Sequence, residues 1–166
     1  MTASKDYDLD ILLEVDVGAP IGQLRAAPAR LGPDAGPAVM ALYGADPRNI
    51  DPWIEGFYYP QDTLKMAVFT GEGRVLWQRD LGRGVVPSSS FCPAFVMDLD
   101  GDGVDEIWFV NNLSEHHPFA LSQYRLERVD ALTGETMGRW PWPVNDPNQK
   151  QSHLFRHFIL GGTVRG

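Results

Sequence analysis

Hydrophobic and polar residues alternate along most of this chain with the period of a strand, not of a helix. LKMAVFT (64–70) and RVLWQRDL (74–81) flank a glycine-containing turn, the pattern of a β-hairpin. FVMDL, EIWFVN, YRLERVD and a short run near TMGRW predict four more strands, joined by DGDG, a long polar loop and TGE. HFILGG (157–162) reads as another strand, and DILLEVDVG (10–18) repeats the pattern of VLWQRDLG, an outer strand. Only IGQLRAAPARLG (20–31) has some helical composition, and its Pro28 and flanking glycines favour a loop. The expected fold class is all-β.

Two internal matches organise these strands. VMALYGAD (39–46) and VMDLDGDG (96–103) share Val, Met, Leu and Gly at an offset of 57, and TGEGRVLW (70–77) and TGETMGRW (133–140) share Thr, Gly, Glu and Trp at an offset of 63. Four strands per copy is the size of a propeller blade. The expected organisation is a single β-propeller-like domain over 1–166: an outer strand of an incomplete blade at 10–18, a first repeat at 36–82, a second at 92–142, and the start of a third at 155–166. Because closed propellers have about 4–8 blades, this reads as part of a larger propeller. A small β-sandwich is the competing architecture.

The second copy carries MDLDGDGVDEIWFV (97–110). Counted from Asp98, the twelfth position of an EF-hand loop is Phe109, and the flanks are strands, so the helix–loop–helix reading fails. A strand–loop–strand calcium site fits better. Asp98, Asp100, Asp102 and Glu106 would offer carboxylates and Val104 its carbonyl, while the glycines let the loop curl. An irregular, oxygen-rich cage suits Ca2+ better than Mg2+. Asp105 is expected in solvent. In the first copy Ala41, Tyr43 and Ala45 stand where the aspartates would be, so no ion is expected there.

The formal net charge of −8 argues against nucleic acid or an anionic membrane as partner. No apolar run is long enough to span a bilayer. The N-terminal residues show no signal-peptide pattern, which leads to an expected cytoplasmic location, or secretion if the N-terminus is incomplete. Cys92 cannot form an internal disulfide and is expected to be buried. Trp77 and Trp140 match in the repeat and are expected in the core; Ser88, Ser89 and Ser90 read as a flexible connector.

PAFVMDLDGDGVDEIWFV resembles the FG-GAP repeat, in which an aspartate-rich turn between two strands binds calcium in β-propellers. With the TGExxxxW hairpins, it is similar to the propeller polysaccharide lyases of the rhamnogalacturonan and ulvan lyase type. The resemblance implies an enzyme cleaving uronate-containing acidic polysaccharide by β-elimination. In a four-stranded blade the calcium turn lies at one end, and the loops 51–62, 111–123 and 141–157 lie at the other. Within them, His116 or His117 would serve as base and Arg156 as carboxylate partner. Tyr58 or Tyr59 would act as acid, with Trp53, the tyrosines and His153 contacting sugar. A non-catalytic module that binds carbohydrate or protein, and an inactive truncation product, remain the alternatives.

Overall fold

A computed structural model describes residues 10–46, 62–88, 91–115, 121–143, 159 and 161–162. The described residues form two four-stranded antiparallel sheets, each in simple sequential order, and no α-helix. The first comprises β1 (Gln23–Ala29), β2 (Ala38–Gly44), β3 (Lys65–Thr70) and β4 (Val75–Asp80). The second comprises β5 (Ala94–Met97), β6 (Glu106–Asn112), β7 (Tyr124–Asp130) and β8 (Thr136–Pro141), with a 3-10 turn at Leu121–Gln123 before β7. No described helix is long and apolar enough to cross a membrane.

The sheets face one another across one apolar core. Met40, Leu42, Met66 and Val68 of the first sheet meet Ile107, Phe109 and Val129 of the second, all essentially inaccessible to water. Alternation dictates this: residues two apart share a face, so each strand sends its apolar set inward. Leu31 and Val104 form an isolated antiparallel bridge between the β1–β2 and β5–β6 connections. Trp77 of β4 packs on the core and donates its indole N–H to the Ala131 carbonyl at 2.9 Å.

Three features differ from the sequence expectation. Residues 23–29, read as a loop, form β1. This is an edge strand of its sheet, where the missing N–H of Pro28 is tolerated. The first sheet therefore begins at Gln23, ahead of the expected start at 36. Residues 10–18 form no strand and lie over the outer face of that sheet. There Val17 is buried with Ala41, Tyr43 and Ala67, and its carbonyl accepts from the Gln78 side chain at 2.7 Å. The expected third copy lies outside the described residues except for Ile159, Gly161 and Gly162. Ile159 packs beside Phe91, Val110 and Tyr124.

Strand pairing also redraws the repeat. VMALYG lies in β2, a second strand, whereas VMDL begins in β5, a first strand. Buried strands share a composition, so a four-residue match cannot distinguish strand one from strand two; the register can. Ala29 pairs with Ala38 and Met97 with Glu106, so the counterpart of loop 98–105 is loop 30–37, of equal length. Arg30, Gly32 and Asp34 stand there in place of the three aspartates, and Ala38 in place of Glu106. In the outer hairpins, Trp77 lies opposite Val68 and Gly138 opposite Arg128, each next to a register shift. Trp77 therefore corresponds to Gly138, not to Trp140. Trp140 is 45% exposed and stacks on Trp108 at 5.5 Å on the outer face of the second sheet.

The β7–β8 turn packs directly against Trp77 of the first sheet. Gly134 has φ 75°, and a Cβ there would sit 2.7 Å from the Trp77 ring. Gly134→Ala is expected to destabilise the fold by about 3 kcal/mol, from the left-handed backbone plus overpacking. Gly101→Ala, at φ 80° with nothing within 4 Å, should lose only the backbone part, about 1 kcal/mol. Urea unfolding midpoints of the two variants check this, and equal losses would contradict the Trp77 contact.

Candidate metal-binding loop and the opposite end of the sheets

Loop 98–105 joins β5 to β6 and closes on itself through its own backbone. Asp98 accepts the Gly101 N–H at 2.6 Å on Oδ1 and the Gly103 N–H at 3.0 Å on Oδ2. Both glycines have positive φ, 80° and 92°, which curls the chain around the Asp98 carboxylate. Asp102 Oδ1 accepts the Val104 N–H at 2.8 Å. Glu106, only 2% exposed, accepts the Leu99 N–H at 3.1 Å on Oε2. The result is that carboxylate oxygens of Asp98, Asp100, Asp102 and Glu106 all lie within 4.8 Å of one another.

One cation of the chain already reaches this group. Arg128, across from Trp108 on the outer face of the second sheet, donates Nη2 to Glu106 Oε1 at 2.6 Å and also to Asp100 Oδ2. The Arg128 hydrogen bond holds the Asp100 carboxyl below its usual range. Among the described residues this one guanidinium leaves most of the charge on the four carboxylates uncompensated. The donor set, entirely oxygen and irregularly arranged, fits a hard divalent cation.

Asp105, expected in solvent, is instead 6% exposed and joins the sheets. Its Oδ1 accepts the Asp98 N–H at 2.9 Å, and its Oδ2 accepts the Arg30 N–H at 2.7 Å. Its own N–H donates to the Arg30 carbonyl at 2.8 Å. The loop is thus anchored at its base to the first sheet. Its equivalent, 30–37, supplies that anchor rather than a second acidic group.

The connections β2–β3, β4–β5 and β6–β7 emerge at the other end of the sheets. His116, His117, Arg156, Trp53, Tyr58, Tyr59 and His153 lie outside the described residues. What the structure does describe near that end is a buried charge cluster unforeseen from the sequence. Glu127, inward on β7 and 0% exposed, accepts from Arg79 of β4 at 2.5 Å, Asn111 of β6 at 2.9 Å, and Arg139 of β8 at 3.0 Å. The Thr136 hydroxyl donates to it as well, at 2.7 Å. Burial alone would raise this carboxyl. The hydrogen bonds from Arg139, Asn111 and Thr136, with the Arg139 charge, outweigh burial and hold it at about 2. A Glu at an inward position of YRLERVD was the available signal, but its partners could not be named from spacing.

Cys92 is fully buried, its thiol pushed up to about 12 by desolvation, so it is an inert packing residue. Ser88 is also buried, within a tight turn in which its N–H donates to the Val86 carbonyl at 2.7 Å, so the connector is packed at that point.

No protein-family model matches the chain, and no curated protein is significantly similar to it. In fold, the chain is similar to the rhamnogalacturonan lyase YesW, with a TM-score of 0.59 and 18% identity over 70% of this chain. It is likewise similar to the exotype rhamnogalacturonan lyase YesX, with a TM-score of 0.58 and 21% identity over 70% of this chain. The chain spans 22% of the length of each of those structures. At such identities the likeness speaks of fold alone: this pair of sheets has the fold of a segment found in polysaccharide lyases.

Proposed function

We propose that the chain is a calcium-braced pair of β-propeller blades from a protein that cleaves uronate-containing polysaccharide by β-elimination. The observation that carries this reading is the fold likeness to two rhamnogalacturonan lyases. The FG-GAP-like loop supports it, since its four carboxylates converge within 4.8 Å. When bound, Ca2+ would neutralise those carboxylates and hold the β5–β6 turn closed, with Asp98, Asp100, Asp102, Glu106 and the Val104 carbonyl as its ligands. In this role the ion is structural, because the loops proposed for chemistry emerge at the other end of the strands.

β-Elimination requires a base to take the proton beside the carboxylate, a cation on that carboxylate, and an acid for the leaving oxygen. His116 or His117 would be the base, Arg156 the cation and Tyr58 or Tyr59 the acid. Trp53 and His153 would contact the sugar rings. Incubating the chain with rhamnogalacturonan and following the ultraviolet absorbance of the unsaturated uronate is the direct test. Rising absorbance, lost in His116→Ala or His117→Ala, is expected. Polysaccharide binding with flat absorbance would sink the lyase reading. It would favour the non-catalytic module that binds carbohydrate or protein.

A further inference from the structure

The two sheets of this chain meet through unlike faces. Counted from the matched positions Ala38 and Glu106, the equivalents of Met40 and Leu42 are Trp108 and Val110, and those of Met66 and Val68 are Leu126 and Arg128. The first four point into the core between the sheets. Their equivalents, by strand alternation, lie on the outer face of the second sheet. Conversely, Ile107, Phe109 and Val129 point into that core, and their equivalents Val39, Ala41 and Phe69 lie on the outer face of the first sheet. Each outward face is therefore the counterpart of one half of an interface that the chain already makes with itself.

Both outward faces keep apolar surface in water. On the second sheet part of the face is filled from within. Phe91 and Ile159 pack beside Val110, and Gly161 lies so close to the Phe95 ring that a Cβ would sit 2.4 Å from it. The part around Trp108 and Leu126 is only half-buried. There the exposed Trp140 is fixed by its stack on Trp108, which in turn stacks on Phe95 at 6.2 Å. Arg128 stands where the first sheet has Val68, but Glu106 and Asp100 already neutralise it, so covering it strands no charge.

On the first sheet, the strap formed by residues 10–18 covers Ala41 and Tyr43. The same strap leaves Ile11 and Leu12 86% and 94% exposed, and Leu24, paired with Tyr43, is 55% exposed. Apolar surface gathered on a face in this way marks a contact surface.

We propose that copies of this chain assemble head to tail, the outer face of the second sheet in one copy packing on the strap and outer face of the first sheet in the next. Such a contact leaves one face free at each end, so it repeats until a ring closes. With two sheets per copy and about 4–8 blades in a closed propeller, a ring holds about two to four copies. A twofold contact between like faces has no counterpart inside the chain, whereas the head-to-tail contact repeats the one between its own sheets. The inference goes beyond the lyase reading and does not depend on it: cleavage of a polymer neither supports nor removes it.

Sedimentation velocity of the chain is the test. The parent should sediment as a whole multiple of one chain and dissociate on dilution. Trp140→Asp removes the second-sheet half of the contact, and Leu12→Asp with Leu24→Asp removes the first-sheet half; each variant alone should sediment as a single chain. Mixed in equal amounts, the two variants should form a one-to-one pair and stop there, because each keeps the face that the other has lost. That pairing also shows that both variants are folded. A parent that stays a single chain up to its solubility limit overturns the proposal. So do variants that assemble as the parent does, and a mixture that stays as single chains.

Discussion

Glu127→Ala is expected to lower the unfolding free energy by about 3 kcal/mol, because it removes a fully buried carboxylate that accepts from partly exposed arginines of both sheets and from the buried Asn111 amide. Arg79 reaches Glu127 from β4 of the first sheet, and Arg139 reaches it from β8 of the second. Losing the carboxylate leaves two guanidinium groups and the Asn111 amide without their acceptor. The same residue gives the protein a specific acid sensitivity. Its folded pKa, about 2, lies below the ordinary value of 4.5. As pH falls through 4.5 the unfolded chain takes up a proton that the folded chain refuses, so the unfolded state gains. The contribution is fully present above that pH and is lost progressively down to about 2; it amounts to about 3 kcal/mol. Urea titrations between pH 6 and pH 3 check both claims. A Glu127→Gln variant should show a visibly shallower pH dependence than the parent, and parallel curves would refute the assignment.

Calcium should have an effect of comparable size. At about one hundred times its dissociation constant, an ion bound only to the folded state adds about 2.7 kcal/mol. For a domain of this length that corresponds to a rise of about 5–10 °C in melting temperature. Chelator should reverse the rise, and Mg2+ should reproduce it poorly because the loop is irregular. Asp100→Ala should abolish the response without unfolding the chain, since Arg128 keeps its ion pair with Glu106. A melting curve indifferent to calcium and chelator would remove the metal from the proposal.

Much of the fold could be read along the chain, and the exceptions have physical causes. The hairpins LKMAVFT–RVLWQRDL and YRLERVD–TMGRW stand as β3–β4 and β7–β8 because period-two alternation reports a sheet with one face buried. QLRAAPA was misread because alanine and proline disfavour strands in isolation. At a sheet edge, with one neighbour and Ala27 and Ala29 turned into the core, those preferences are overridden. The run at 10–18 has strand-like alternation but finds no partner strand among the described residues, and it serves as a cover for Tyr43 and Ala67.

The acidic loop could be read from sequence because its ligand candidates are contiguous. Alternate residues of one curled segment point inward whatever surrounds them, so 98–106 alone determines that carboxylates converge. Everything that depends on distant segments was decided by the tertiary structure. The pairing of Arg30 with Asp105, the reach of Arg128 to the loop, and the Glu127 cluster each join residues from different strands or connections. Spacing carries no information about such meetings. They follow from register and from how one sheet lies on the other.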